Sequence, residues 1–356
     1  MTHLTFPFAA TPSPGQVLSV AAGVYWLRMP LPFALDHINL WLIEDSDGWT
    51  VVDCGIANET TRQLWQQIFA EGLQGKPIIR VLCTHMHPDH IGCADWLCQY
   101  WQAPLWMTGA EYLSARILSA GLPGTDATGA VAHYARHGML PEHQEKIAAR
   151  GGFYAKAVPS VPGTYFRLQH GDILHLGGRE WQILCGFGHS PEHASLLCPA
   201  LNIAITGDML LPKISTNISV YPIEPDANPL KLFLDSLPAY HQLDPECLIL
   251  PSHGQPFIGA GQRVHQLEQH HQQRLQELLA FCHDVPRTAV DVLPVLFRRE
   301  LDLHQLTFAL GEAIAHLNYL WHDGELERQQ QEGIYRFVAV PESRRGLRGA
   351  RVNSQS

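Results

Sequence analysis

Residues 83 to 92 read Cys83-Thr84-His85-Met86-His87-Pro88-Asp89-His90-Ile91-Gly92. They follow a short apolar run, Pro77 to Thr84, that has the character of a buried strand. Pro88 suits the first turn of a helix, and the pattern predicts one continuing to about Trp101. His85 and His87 stand two apart, so an extended turn can point both imidazoles the same way. Asp89 and His90 follow at the helix start, aimed back at the same spot. Packing alone would not ask for four such groups on one strand-to-helix turn. Three imidazoles and a carboxylate suit zinc, iron or manganese better than calcium.

One turn cannot enclose two ions, so any further ligands lie elsewhere, and three later places qualify. Gly188-His189-Ser190-Pro191-Glu192-His193 follows the strand-like QILCGF. Thr206-Gly207-Asp208 ends the run NIAIT, and Pro251-Ser252-His253-Gly254 ends the run CLIL. Each places a ligand type where a buried strand meets a loop. Singly each is weak; in this order after the first motif they are strong together.

With these motifs in hand, the chain resembles the metallo-β-lactamase superfamily over about residues 20 to 265. The resemblance implies an α/β fold, an αβ/βα sandwich. The signature HxHxDH matches His85, His87, Asp89 and His90, and three later family ligands match His189, Asp208 and His253. It implies two divalent ions, zinc first, with iron or manganese as alternatives. His85, His87 and His189 would hold one ion, Asp89, His90 and His253 the other, and Asp208 would bridge. His193 stands as the alternative to His189. Asp53, in VVDCG, matches an early Asp that supports ligands from behind, and His193 is assigned the same supporting place. Many relatives have Gly where Glu192 stands, which leaves Glu192 either behind the ligands or in the pocket wall. A hydroxide shared by the two ions is the implied nucleophile, with Asp89 a ligand that also orients it. Phe33, Lys213, Asn217 and Tyr221 are candidate substrate contacts.

The rest of the chain narrows the class. The 356 residues suggest about two domains. Apolar residues at 46% exclude general disorder. No run of 18 apolar residues exists, so no membrane helix is expected. The N-terminus makes a poor signal peptide, and eight Cys without a CxxC pair, several inside apolar runs, read as buried small hydrophobes. A reducing, cytoplasmic setting is the expectation. No GxSxG, P-loop or dinucleotide fingerprint is present.

The organisation expected is a hydrolase domain over 1–284, a helical insertion at about 108–163 covering the site or forming a homodimer interface, and a small winged-helix-like domain over 285–342. That last region reads as a helix from Thr288 to Phe297, a helix from Leu303 to Trp321, and a hairpin turning at Glu332-Gly333. The tail, 343–356, with Arg344, Arg345, Arg348 and Arg351, reads as flexible. His133 and His137 read as surface or cap-packing residues, and His265, His270 and His271 on a Gln-rich helix as solvated ones, rather than as ligands.

The function expected is binuclear metal-dependent hydrolysis of a small-molecule thioester or ester, similar to hydroxyacylglutathione hydrolase. The alternatives are an endoribonuclease of the β-lactamase-like group and a mono-iron persulfide dioxygenase. Net charge of −10 argues against a nucleic-acid surface over the whole protein. From Val285 to Val340 five Arg face eight acidic residues, a net −3, which is a poor phosphate-binding surface.

Overall fold

The computed structural model describes residues 3–33 and 35–341; the predicted flexible tail lies outside the described residues. Contacts divide the chain into two compact units. The first comprises Met1–Gly121, Tyr154–Thr216 and Ser236–His265, and the second comprises Leu122–Phe153, Asn217–Asp235 and Gln266–Ser356. Segments 122–153 and 217–235 thus group with the residues after 265, a division that chain order does not reveal.

In the first unit, strands β1 (Leu18–Ala21), β2 (Val24–Pro30), β3 (His37–Glu44) and β4 (Trp49–Val52) form an antiparallel meander. Helix α1 (Glu59–Glu71) then crosses to β5 (Ile78–Leu82), which pairs with β4 in parallel. Asn58 caps α1 by accepting from the Thr61 N–H. Helices α2 (Pro88–Ile91) and α3 (Ala94–Trp101) lead to β6 (Leu105–Thr108). The single helix expected from Pro88 to Trp101 is broken, because the Cys93 N–H leaves the helix ladder and donates to the Gly55 carbonyl at 3.0 Å.

The region expected to be helical carries α4 (Gly109–Ser119), α5 (Ala127–Arg136), α6 (Pro141–Arg150) and α7 (Phe153–Ala157). Strand β7 (Phe166–Leu168) completes a seven-stranded sheet in the order β1 to β7. A second sheet follows: β8 (Ile173–Leu176), β9 (Arg179–Gly186), β10 (His193–Cys198) and β11 (Ile203–Gly207), then α8 (Pro229–His241), β12 (Leu248–Pro251) and β13 (Phe257–Ile258). Its order is β13-β12-β11-β10-β9-β8, with β11 and β12 parallel.

The two sheets pack face to face. One buried cluster takes Trp26, Trp41 and Val52 from the first sheet and Trp181, Ile183, Leu196 and Ile205 from the second. Register explains who meets whom. Trp26 lies opposite Trp41, and Trp41 opposite Val52, so all three point to one face. Leu196 likewise pairs with Ile183 on one side and Ile205 on the other. Two of the three indoles named there find acceptors: Trp26 donates to Asn39 Oδ1 at 2.8 Å, and Trp181 to the Leu176 carbonyl at 3.2 Å.

The second unit includes α5, α6, much of α9 (Ala260–Phe281), and the run α10 (Leu293–Leu296), α11 (Leu303–His322), β14 (Leu326–Gln331) and β15 (Ile334–Ala339). The helix expected from Thr288 shrinks to four residues. Thr288 and Asp291 instead close a turn, each side chain accepting from the other's backbone N–H. Asp302 and Gln305 form a capping box that starts α11. Its buried stripe is Leu310, Ala313, Ile314, Leu317 and Leu320. The hairpin turns at Glu332 (φ 51°) and Gly333 (φ 80°), two left-handed residues that match the twist of the strands. His271 is a correction: far from solvated, it is fully buried on α9 with Nδ1 3.2 Å from His316 Nε2. His133 and His137 are buried too, their rings 5.0 Å apart. Seven of the eight cysteines are buried, and all are free thiols. Among the described residues no helix is long and apolar enough to cross a membrane.

Candidate metal centre

The motif residues converge because the strands that carry them end together. Asp53 follows β4 and His85 follows β5, while Asp208 follows β11 and His253 follows β12; each is a parallel pair. In open α/β sheets the carboxyl ends of parallel strands are where ligands sit. His189 comes from the turn between β9 and β10. The result is two groups that could hold metal ions: His85, His87, His189 and Asp208 in one, and Asp89, His90 and His253 in the other. Within each group the donor atoms lie within 4.8 Å of one another.

Asp208 faces both groups. Its Oδ2 lies 3.3 Å from His189 Nε2, and its Oδ1 lies 3.5 Å from His253 Nε2. His85 Nε2 sits 2.9 Å from His87 Nδ1 and 3.2 Å from His189 Nε2. Three ring nitrogens therefore point at one small volume. His90 Nε2 and Asp208 Oδ1 are buried without a hydrogen bond among the described residues. Unpaired buried polar atoms are costly, and a divalent cation fits this mixed imidazole and carboxylate donor set.

The outward nitrogens are tied down. His90 Nδ1 is 2.8 Å from the Asp53 carboxylate. His85 Nδ1 lies 3.0 Å from the Thr84 hydroxyl, which in turn donates to Asp53. His253 Nδ1 lies 2.8 Å from the His37 carbonyl. Fixing one nitrogen of each ring directs the lone pair of the other inward.

Among the protein groups themselves, the electrostatics separate the two groups. Burial pushes His85 well below its ordinary value and His87 down to about 3, with neighbouring imidazoles adding to the effect. For His253 burial works the other way from the outcome: the carboxylates of Asp208 and Asp89 outweigh it and hold the ring at about 10. Asp89 is lowered to about 2; burial opposes this, and His90 and His253 overcome it.

The sequence from 34 to 253 matches the family model described as metallo-beta-lactamase superfamily. The chain belongs to the metallo-β-lactamase superfamily. Residues 275–340 match a second model, the metallo-beta-lactamase-like C-terminal domain. A crystal structure of a beta-lactamase domain protein from Burkholderia ambifaria is 48% identical, with TM-score 0.90, over 95% of this chain and 98% of that one. The probable metallo-hydrolase YqjP of Bacillus subtilis is 23% identical over 83% of this chain and 91% of its own length. Two shorter matches are hydroxyacylglutathione hydrolase GloC of Haemophilus influenzae and acyl-coenzyme A thioesterase MBLAC2 of Bos taurus. They are 27% and 24% identical over 36% and 54% of this chain, and 49% and 65% of their own. The protein is thus a metal-dependent hydrolase by family.

Around the superfamily ligands the structure adds residues that sequence reasoning missed. Asn39, fully buried on β3, donates to the Pro251 and Gly254 carbonyls at 2.8 and 3.0 Å and so frames the His253 loop. Glu111, fully buried in the first turn of α4, accepts from the Met86 and Glu192 backbone N–H groups and the Ser190 hydroxyl. Burial raises its pKa, and those three donors oppose the rise. An isolated Asn or Glu in a sequence carries no spacing signal of this kind.

Two residues that the sequence left open take definite places. Glu192 accepts from the Ala110 N–H at 3.1 Å, so it caps α4. His193 Nε2 accepts from the Asp208 N–H at 3.2 Å, against Gly207 at φ 51°. A Cβ on that glycine would fall 2.2 Å from the ring nitrogen, so only glycine lets Asp208 and His193 meet. Of the substrate candidates, Phe33 is half-buried between β2 and β3 and Lys213 is exposed after Asp208. Asn217 donates to the Glu312 carboxylate at 3.1 Å, and Tyr221 is half-buried.

Proposed function

We propose that this protein is a two-ion hydrolase of a thioester or ester, similar to hydroxyacylglutathione hydrolases, with zinc as the ion. The observation that carries the reading is Asp208, whose two oxygens face two complete groups of donors. Bound there, the ions would supply Lewis acidity and a water of lowered pKa. His85, His87 and His189 would hold one, and Asp89, His90 and His253 the other, with Asp208 shared. Asp53 and His193 orient His90 and Asp208 from outside. Asp89, kept ionised at neutral pH, is the residue that orients the attacking water. Phe33 and Lys213 are proposed to contact the substrate.

Two findings favour thioester chemistry with two ions. The shorter matches include one protein named an acyl-coenzyme A thioesterase and one named a hydroxyacylglutathione hydrolase. The second group, Asp89, His90 and His253, is intact, so donors for a second ion are present.

The test is metal content per chain in protein purified without added metal or chelator, followed by acyl-thioester, ester, lactone and RNA substrates. About two zinc ions and turnover of thioesters, lost in Asp89→Asn, is the expected result. One iron per chain with oxygen uptake on persulfides would overturn it, as would RNA cleavage without thioester turnover.

A further inference from the structure

We propose that Glu111 is a positioning residue: one buried carboxylate that sets the spacing between the two loops carrying His85, His87 and His189. The inference rests on the two-ion reading above.

His85 and His87 leave β5 on one loop, and His189 sits on the turn between β9 and β10. These loops are about a hundred residues apart in the chain, so nothing local holds them in register. Glu111 does. Its Oε2 accepts from the N–H of Met86, the residue between the two histidines, at 2.9 Å. Its Oε1 accepts from the Ser190 hydroxyl, next to His189, at 2.6 Å and from the Glu192 N–H at 2.7 Å. The latch is reciprocal. Glu192 caps the helix on which Glu111 stands, and its carbonyl accepts from the Thr108 hydroxyl at 2.7 Å. Tyr154 donates to the Met86 carbonyl at 2.5 Å, so both backbone polar groups of Met86 are held.

The chemistry demands a carboxylate. Both oxygens receive donors, and the side chain offers none. A glutamine would present its NH2 either to the Met86 N–H or to the Glu192 N–H, leaving one backbone donor unpaired. The second donor group has other supports: Asp53 on His90, and Asn39 framing the His253 loop. Removing Glu111 should therefore loosen one ion and spare the other.

The experiment titrates the metal-free full-length chain with zinc against a chromophoric chelator, for wild type, Glu111→Gln and Glu111→Ala. Wild type binds two ions. In both variants one ion weakens by roughly 10–100-fold, as for other residues that support ligands, while the second keeps its affinity within a few fold. A merely structural role would lower both affinities by the same factor, so the ratio of the two decides. Should Glu111→Ala not fold, Glu111→Gln, which keeps the volume and one acceptor, carries the test. Equal weakening of both ions, or two ions bound as in wild type, overturns the role of Glu111. A wild-type chain that binds fewer than two zinc ions overturns the two-ion reading and this inference with it.

Discussion

The Asp53 carboxylate lies 2.8 Å from His90 Nδ1, and both side chains are fully excluded from solvent. Asp53 reaches this place by ending β4 in the left-handed region, at φ 63°, which turns its side chain back under the ligand loop. There it also accepts from the Thr84 backbone N–H at 2.8 Å. One anion thereby fixes a ring tautomer and a strand end together.

Asp53→Ala should cost both stability and metal. It strands a buried imidazole N–H and the Thr84 donors, and removing one partner of a buried pair costs about 3–5 kcal/mol. Urea unfolding of the metal-free protein reads that loss. Zinc affinity should fall roughly 10–100-fold. A variant with wild-type stability and affinity would show that the contact does no orienting.

Asp208→Ala and His193→Ala should separate cleanly. The first removes the carboxylate that faces both groups, so metal and hydrolysis should disappear together. The second removes an acceptor for the Asp208 N–H, so most metal stays while activity drops. Elemental analysis of both variants is the check, and equal metal loss in the two would make His193 itself a ligand.

Asn39→Asp should be as damaging as Asn39→Ala, although it changes a single atom type. The amide NH2 of Asn39 faces two carbonyl oxygens, of Pro251 and Gly254. An aspartate would turn an oxygen toward them in a fully buried place. Unmade hydrogen bonds there cost about 1–3 kcal/mol each. Denaturation midpoints of the two variants should both fall well below wild type; a mild Asn39→Asp would refute the assignment of the amide.

Part of the acid sensitivity should arise in the second unit. Burial pushes His133 down to about 4 and His137 to about 3, with Arg136 and Arg328 adding to it and Asp226 opposing. The unfolded chain binds protons at about pH 6.5, and the folded chain does not until well below that. Stability from neutral burial is therefore full above pH 6.5 and is lost as pH falls toward 4 and then 3. His137 packs against Tyr335 and Phe337, so phenylalanine is a reasonable replacement. Relative to wild type, His137→Phe should gain about 1.4 kcal/mol per pH unit below pH 6. Urea unfolding from pH 7.5 to 4.5 measures it, and parallel pH profiles would show that His137 is not the group responsible.

Much of this was legible because the signals were local. The strand expected over Pro77 to Thr84 follows from its apolar run, and the helix over Leu303 to Trp321 from its periodicity. The helix expected over Pro88 to Trp101 failed for a nonlocal reason, the Gly55 carbonyl that captures the Cys93 N–H. Strands β1, β2, β6, β7 and β13 carry no such local signal: four are four residues or fewer, and each is defined by its neighbour more than by its own pattern. His271 looked solvated on a polar helix, yet it packs against Phe233 and His316.

The sequence by itself determined the kind of chemistry. Donor residues that must stand at strand ends leave a fixed spacing and a fixed order along the chain, and HxHxDH followed by His189, Asp208 and His253 shows both. Only the tertiary structure decided what holds those donors in place. Glu111, Asn39, Thr84 and Glu192 act through a few hydrogen bonds across long stretches of chain, and such contacts leave no periodicity or motif behind. Their roles exist only once the two sheets have closed and excluded water, since burial is what makes each of those bonds costly to lose.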